Sequence, residues 1–231
     1  MSEQGIDASG LSVRLGGRTV LNAVDFEARC GQITLVIGHN GSGKSTLLRA
    51  LAGLIPSQAS RLSIGGGREL GKELALLQQD RSLFLEKKAL ANIAVGVTQR
   101  FRLSSAEENA ISAQAIETFP QLRGALSRQC AELSGGFRQL VALCRVLLSP
   151  AHTLLLDEPT VGLAAALHEP VLEAIRQRTE RNDSVTVIAE HNIVSAANIV
   201  RQVYILNDGR IRFCGGPDIL LDREKLRDLY L

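Results

Sequence analysis

Continuous apolar runs alternate with stretches of helical spacing along most of this chain. ITLVI (33–37), ELALLQQ (73–79), HTLLLDEP (152–159) and VTVIAEH (185–191) hold few polar positions inside them. Runs of that kind suit strands buried on both faces. Residues 11–29 differ: LSVRL, a GGR turn and TVLNAVDFEA alternate in part, which predicts short β segments. GLIPSQAS (53–60) is rich in turn formers, and LSIGGGREL (62–70) reads as a further strand and turn. Helical spacing marks 46–54, 135–148, 167–181, 193–200 and 217–231. In the second of these, Leu140, Cys144 and Leu147 share one face, and Pro150 ends the helix. VYILNDGRIRFCG (203–215) predicts a hairpin turning at Asn-Asp-Gly.

Residues 86–131 change character. β-branched runs give way to Ala, Glu, Gln, Ser and Arg, and Ser104 or Ser105 before EENA suits a helix cap. The stretch reads as a helical insert in an α/β core whose largely parallel sheet is covered on both faces. A chain of 231 residues fits one such domain. With 26 basic and 24 acidic residues the net charge is +2, and no basic tract points to nucleic acid. The four widely spaced cysteines (30, 130, 144 and 214) fit neither a metal site nor a disulfide framework, so reduced, packed thiols are expected. The first ten residues lack a signal pattern, and no run of about 18 apolar residues exists to span a bilayer. A cytosolic chain is expected, reaching any membrane through a partner.

Chemistry concentrates in three places. GHNGSGKST (38–46) matches G-x-x-x-x-G-K-[ST], with an apolar run before it and a helix after it. In that setting Gly38, His39, Asn40, Gly41, Ser42, Gly43, Lys44, Ser45 and Thr46 form a phosphate cradle. Inward N–H groups and a helix N-terminus hold the anion. Lys44 reaches the β- and γ-phosphates, and the Ser45 hydroxyl ligates Mg²⁺. The bland alternative is a glycine-rich turn with a surface lysine. LLLDE (154–158) is the second place: Asp157 suits the metal's ligand shell and Glu158 suits the attacking water. Alternation along a strand would point the two carboxylates apart. The third is LSGGFRQ (133–139), where Ser134, Gly135 and Gly136 open a helix and make a second anion site. Alone, that turn is equally a plain N-cap.

The order of these motifs, with the helical insert between the first and third, resembles ATP-binding cassette (ABC) ATPases along nearly the whole chain. The resemblance implies an α/β P-loop NTPase fold of the ABC ATPase kind. Its core has a mostly parallel sheet, an N-terminal antiparallel β segment and an inserted helical subdomain. Residues 1–231 would form a single ABC ATPase domain, with 1–85 and 132–231 as core and 86–131 as insert. It implies ATP and Mg²⁺ as ligands and a second ABC ATPase subunit packed head to tail. Ser134, Gly135 and Gly136 would then act on the partner's nucleotide. Gln79 matches the family's Q-loop glutamine, which senses Mg²⁺ and γ-phosphate. His191 matches the switch histidine that positions Glu158. His39, His152 and His168 match no role of the family. Integral membrane permease subunits would hold the protein at the inner face of the cell membrane, with a solute-binding protein as a further partner.

TFPQLRGALSRQCAELSGG (118–136), DEPTVGLAAAL (157–167) and the final 209–231 resemble ATPases of branched-chain amino acid importers, a pattern shared with urea-type importers. That implies import of amino acids or a related small polar solute. The chain departs from the family at several points. Leu15 stands where an adenine-stacking aromatic is usual, Phe137 replaces a polar residue after LSGG, Ala164 occupies the place of the D-loop aspartate, and Ala165 replaces the subclass's proline. The stretch between Gly53 and Gln79 is short for the subclass. Three readings stay open on the sequence: the ATPase subunit of a transporter, a soluble ABC ATPase acting on nucleic acid or ribosomes, and a P-loop switch outside the ABC family. The motif order favours the first.

Overall fold

The computed structural model describes residues 5–65, 72–191 and 196–230. Two strands, β1 (Ile6–Leu15) and β2 (Arg18–Ala28), form an antiparallel hairpin. Its two-residue loop, Gly16-Gly17, takes positive φ at both positions, the geometry that matches the strands' own twist. β1 begins five residues before the alternation in 11–29 suggests, because polar Asp7 and Ser9 and a register shift around Gly10 (φ 65°) mask its pattern. Then follow β3 (Ile33–Ile37), α1 (Lys44–Leu51), β4 (Arg61–Ile64) and β5 (Leu74–Leu77). β4 pairs with β1, giving a three-stranded sheet in the order β2-β1-β4. The GGGREL portion of the expected strand and turn at 62–70 falls mostly on 66–71, outside the described residues.

The middle of the chain is helical, as its composition suggests: α2 (Ala89–Thr98) and α3 (Ser105–Thr118), then 3₁₀ turns at Pro120–Gly124 and Cys130–Glu132. Next come α4 (Gly135–Leu147), β6 (Thr153–Asp157), α5 (His168–Arg181), β7 (Val185–Glu190), β8 (Gln202–Asn207), β9 (Arg210–Gly215) and α6 (Arg223–Tyr230). The β8–β9 hairpin turns at Asp208-Gly209, both at positive φ. The helix expected over 193–200 is not found in its described part, where 196–199 make a turn. Residues 192–195 lie outside the described residues. Four small or β-branched positions there carry a weak helical bias that the short connection to β8 overrides.

The six-stranded sheet runs β5-β6-β7-β3-β8-β9, parallel except for β9. Its apolar runs divide by strand alternation between two cores. Leu35, Ile37, Leu154, Leu156, Ile188 and Ile205 face a core closed by α2, α4 and α5. Val36, Leu155, Val187, Ala189 and Leu206 face a second core with α1 and the β1–β2 hairpin. Strands β3, β5, β6 and β7 end in register at one edge: Ile37 lies beside Glu190, Asp157 beside Ala189, and Leu77 beside Leu156. Every loop singled out for chemistry after a strand leaves from that edge, the usual place for a ligand in an open parallel sheet.

Candidate functional site

Residues 38–43 carry the chain from β3 into α1. Gly38 has no room for a side chain, since a Cβ would meet Leu206 O at 2.1 Å and Ser42 Oγ at 2.6 Å. Gly43 has φ 110°, and a Cβ there would meet Leu21 Cδ2 at 2.8 Å. No side chain caps α1 at Gly43, and its first turn holds no acid. Its leading N–H groups and the helix dipole therefore face the loop without a protein anion against them. Lys44 is 6% exposed and curls back over the loop, donating to Gly38 O at 2.8 Å and His39 O at 3.1 Å. Burial lowers its proton affinity, and the Glu158, Asp157 and Glu190 carboxylates pull it back up. His39, at the loop's second position, ties it to the β8–β9 turn. Its Nδ1 lies 2.8 Å from Asn40 O and its Nε2 2.7 Å from Asn207 Oδ1.

Asp157 ends β6 and is buried. Burial raises its pKa, as does the charge of Glu158; the Ser45 side chain, Arg49 and Lys44 oppose the rise. Asp157 Oδ1 and Ser42 Oγ are buried without a hydrogen-bond partner among the described residues. Orphaned oxygens cost about 1–3 kcal/mol each, and beside the Ser45 side chain and an anion-seeking helix start they fit a hydrated divalent cation with phosphate. Among the described residues no group of three or more His, Cys, Asp or Glu side chains could hold a metal by itself. One carboxylate and one hydroxyl, completed by water and phosphate, is the Mg²⁺ pattern.

Glu158 separates from Asp157 by a different route from the one expected. The strand stops at Asp157, and Glu158 takes φ 49°, a left-handed turn. Backbone reversal, not strand alternation, aims the two carboxylates apart. That conformation costs a non-glycine residue on the order of 1–3 kcal/mol. The Glu158 N–H donates to Ala189 O at 2.8 Å. Around its 12%-exposed carboxylate stand two of the expected residues. Gln79, two residues past the end of β5, donates from Nε2 to Oε2 at 3.3 Å, and His191 Nδ1 lies 3.3 Å from Oε1.

The sheet edge thus brings together residues 38–46, Gln79, Asp157, Glu158 and His191. Leu15 and the LSGG turn lie elsewhere. Leu15 ends β1, 42% exposed. Ser134 caps α4, accepting from Phe137 N at 3.4 Å. Gly136 packs on Gly162, whose carbonyl oxygen would lie 3.3 Å from an added Cβ. Among the described residues no hydrogen bond joins Ser134, Gly135 or Gly136 to the phosphate loop.

Residue-by-residue reading missed Glu190. It is 2% exposed, accepts from Thr160 Oγ1 at 2.6 Å and Thr160 N at 3.2 Å, and accepts from His191 N at 3.2 Å. It locks the exit of β7 to the loop leaving β6. An acid closing an apolar run was the available signal, the same one that marked Asp157. No helix among the described residues is long and apolar enough to cross a membrane.

A family profile described as ABC transporter matches residues 21–161. The chain is 36% identical over 217 residues to the Fe(3+) ions import ATP-binding protein FbpC of Streptomyces coelicolor, covering 92% of this chain and 62% of that protein. It is 35% identical over 230 residues to the hemin import ATP-binding protein HmuV of the same organism, covering 96% and 82%. A bacterial ABC transporter cassette solved as a dimer shares the fold, with a TM-score of 0.78, 20% identity, and 92% of this chain and 98% of that one covered. These relatives are named for iron and hemin, not for amino acids as segments 118–136 and 157–167 suggested. The converging strand ends, the profile match and the relatives agree: this chain belongs to the ABC transporter family, as an ATP-binding member of it.

Proposed function

We propose that the chain is the ATP-hydrolysing subunit of an importer, working as a head-to-tail pair beneath membrane permeases. The convergence of Lys44, Asp157, Glu158, Gln79 and His191 on one sheet edge carries this reading. Glu158 takes the proton of the attacking water, and the His191 imidazole and the Gln79 amide hold its two oxygens. Lys44 turns its ammonium from the loop carbonyls to the β- and γ-phosphates, while the N–H groups of 41–46 receive the remaining charge. Mg²⁺ held by Ser45 and Asp157 would draw charge off the phosphates, with Gln79 close enough to follow its presence.

The turn at Ser134, Gly135 and Gly136 has no nucleotide site within its own chain, which supports a role on a second cassette's ATP. The dimeric cassette that shares this fold supports the same arrangement. Next to Gln79, exposed Phe84 and Leu85 meet exposed Phe101, Phe84 and Phe101 edge to face at 5.0 Å. An apolar patch beside the site suits a permease helix and would place the protein at the inner membrane face. FbpC and HmuV support import, and an iron-containing solute. The amino-acid reading rests only on the segments quoted from sequence, and a solute-binding protein follows from the import reading alone.

Glu158→Gln tests the core of this. Turnover should fall by about 10²–10⁴-fold, the usual worth of a general base, with ATP still bound. ATP hydrolysis close to that of the unaltered chain would remove Glu158 from the mechanism. Co-purification with permease subunits tests the transport assignment, and activity confined to nucleic acid would sink it.

A further inference from the structure

The segment after β5 reaches Glu158 twice. Gln79 touches its carboxylate directly. Two residues on, Arg81 Nε donates to Gln139 Oε1 at 2.7 Å. Gln139 Nε2 in turn donates to Pro159 O at 2.9 Å and lies 3.4 Å from Glu158 O. Gln139 sits on α4 and is 3% exposed, so both ends of its amide must be satisfied from within the protein.

An amide side chain has an acceptor end and a donor end. A guanidinium offers only donors, and the two carbonyls at 158 and 159 only accept. With Arg81 on one side, Oε1 must face it, and the NH₂ group is left for the carbonyls. The reversed amide would set oxygen against oxygen and nitrogen against guanidinium. Arg81 therefore decides which way the Gln139 amide sits.

Arg81 is itself held in place. It and Ser82 take positive φ (63° and 43°), and Arg145 of α4 donates to both of their carbonyl oxygens at 2.8 Å. Its Nη2 lies under Gly162, 2.8 Å from where a Cβ would stand. This is a built-in contact among three segments, not a free surface side chain. What it secures is the backbone of a residue with strained φ at the centre of the proposed chemistry.

We infer that Arg81 is a positioning residue for Glu158, acting through Gln139. Residues 79–81 then control both ends of Glu158: Gln79 its carboxylate, Arg81 its carbonyl. A shift of this segment, whether from the nucleotide side or from the apolar patch at 84–85, reorients Glu158 without any contact between Arg81 and substrate. The inference rests on the hydrolytic role proposed for Glu158.

The test compares ATP turnover by the full chain with that of Arg81→Met, Arg81→Lys, Gln139→Met and the Met/Met double variant. A fluorescent ATP analogue reports nucleotide affinity, and thermal melts give the folded fraction for each. Arg81→Met keeps the stem and removes the donor; it should lower kcat about tenfold per folded molecule at unchanged KM, the scale of a small misplacement of a reacting group. Arg81→Lys restores a donor and should recover most of that loss. Gln139→Met should match Arg81→Met, and the double variant should be no worse than the lower single. Arg81→Met turnover within about twofold of the unaltered chain overturns the inference, as do losses that multiply in the double variant or fall on KM. An unaltered chain that binds ATP without hydrolysing it overturns the hydrolytic reading, and this inference with it. Normal turnover with Arg81→Met unchanged overturns this inference alone.

Discussion

Asp157 shows how one residue's surroundings set a testable property. Burial raises its pKa, so in the nucleotide-free protein the native state binds protons more tightly than the unfolded chain does. Between the ordinary aspartate value and the raised one, stability therefore falls as pH rises, and it stays lower above that window. Asp157→Asn removes this dependence. The variant should be more stable than the unaltered chain at neutral pH in urea titrations without nucleotide. The gap should close as pH drops below the ordinary aspartate value, and Mg²⁺ with ATP should stabilise the variant far less. An Asn variant weaker than the unaltered chain at neutral pH would mean that the carboxylate is already partnered. Lys44, Asp157, Glu158, Gln79 and His191 were all legible as letters, because phosphate chemistry needs those residue types at the ends of apolar runs. Glu190, Arg81 and Gln139 were not singled out. Each works through a partner 30 to 64 positions away or through a chain of two contacts, and no local pattern records that. Leu15 was flagged by comparison with the family, and its exposure at the end of β1 leaves the base side of the site with little to stack on.

At the scale of elements, the buried strands were the most legible, since a strand covered on both faces has to be apolar throughout. The antiparallel hairpin was harder, because Gly10 shifts its register and polar residues break its alternation. Helix α3 depends unusually on its cap. Only Ile111 and Ala115 are buried along its 14 residues, so little tertiary packing holds it. Of the two serines that suited a cap, Ser104 fills the position: its hydroxyl accepts from Glu107 N at 3.3 Å, and Glu107 Oε2 accepts from Ser104 N at 2.8 Å. Ser104→Ala should cost about 1 kcal/mol, seen as a melting temperature lower by about 2–4 °C, with ATP turnover per folded molecule unchanged. A loss of turnover without a change in melting would instead give this helix a direct part in the chemistry.

The whole molecule presents a site that is complete at the phosphate loop and lacks a nucleotide beside its LSGG turn. Ser134→Arg should leave ATP binding to the single chain intact and prevent the ATP-dependent dimer that Glu158→Gln is expected to trap, read by sedimentation. Ser134→Ala, which loses the α4 cap but adds no bulk, separates weakened helix from blocked interface; if it too abolished the dimer, the steric account would fail. By itself the sequence determined the element types, the phosphate loop, the acids at the strand ends and the membership that the motif order implied. Those depend on short-range spacing, which the letters carry directly. Only the tertiary structure decided the strand order β5-β6-β7-β3-β8-β9, and with it which loops meet. It also decided that a backbone reversal aims Glu158, and that α4 joins Arg81 to the exit of β6. Those outcomes follow from burying two faces of one twisted sheet at once, a constraint that acts between residues distant along the chain and leaves no mark on any single stretch of it.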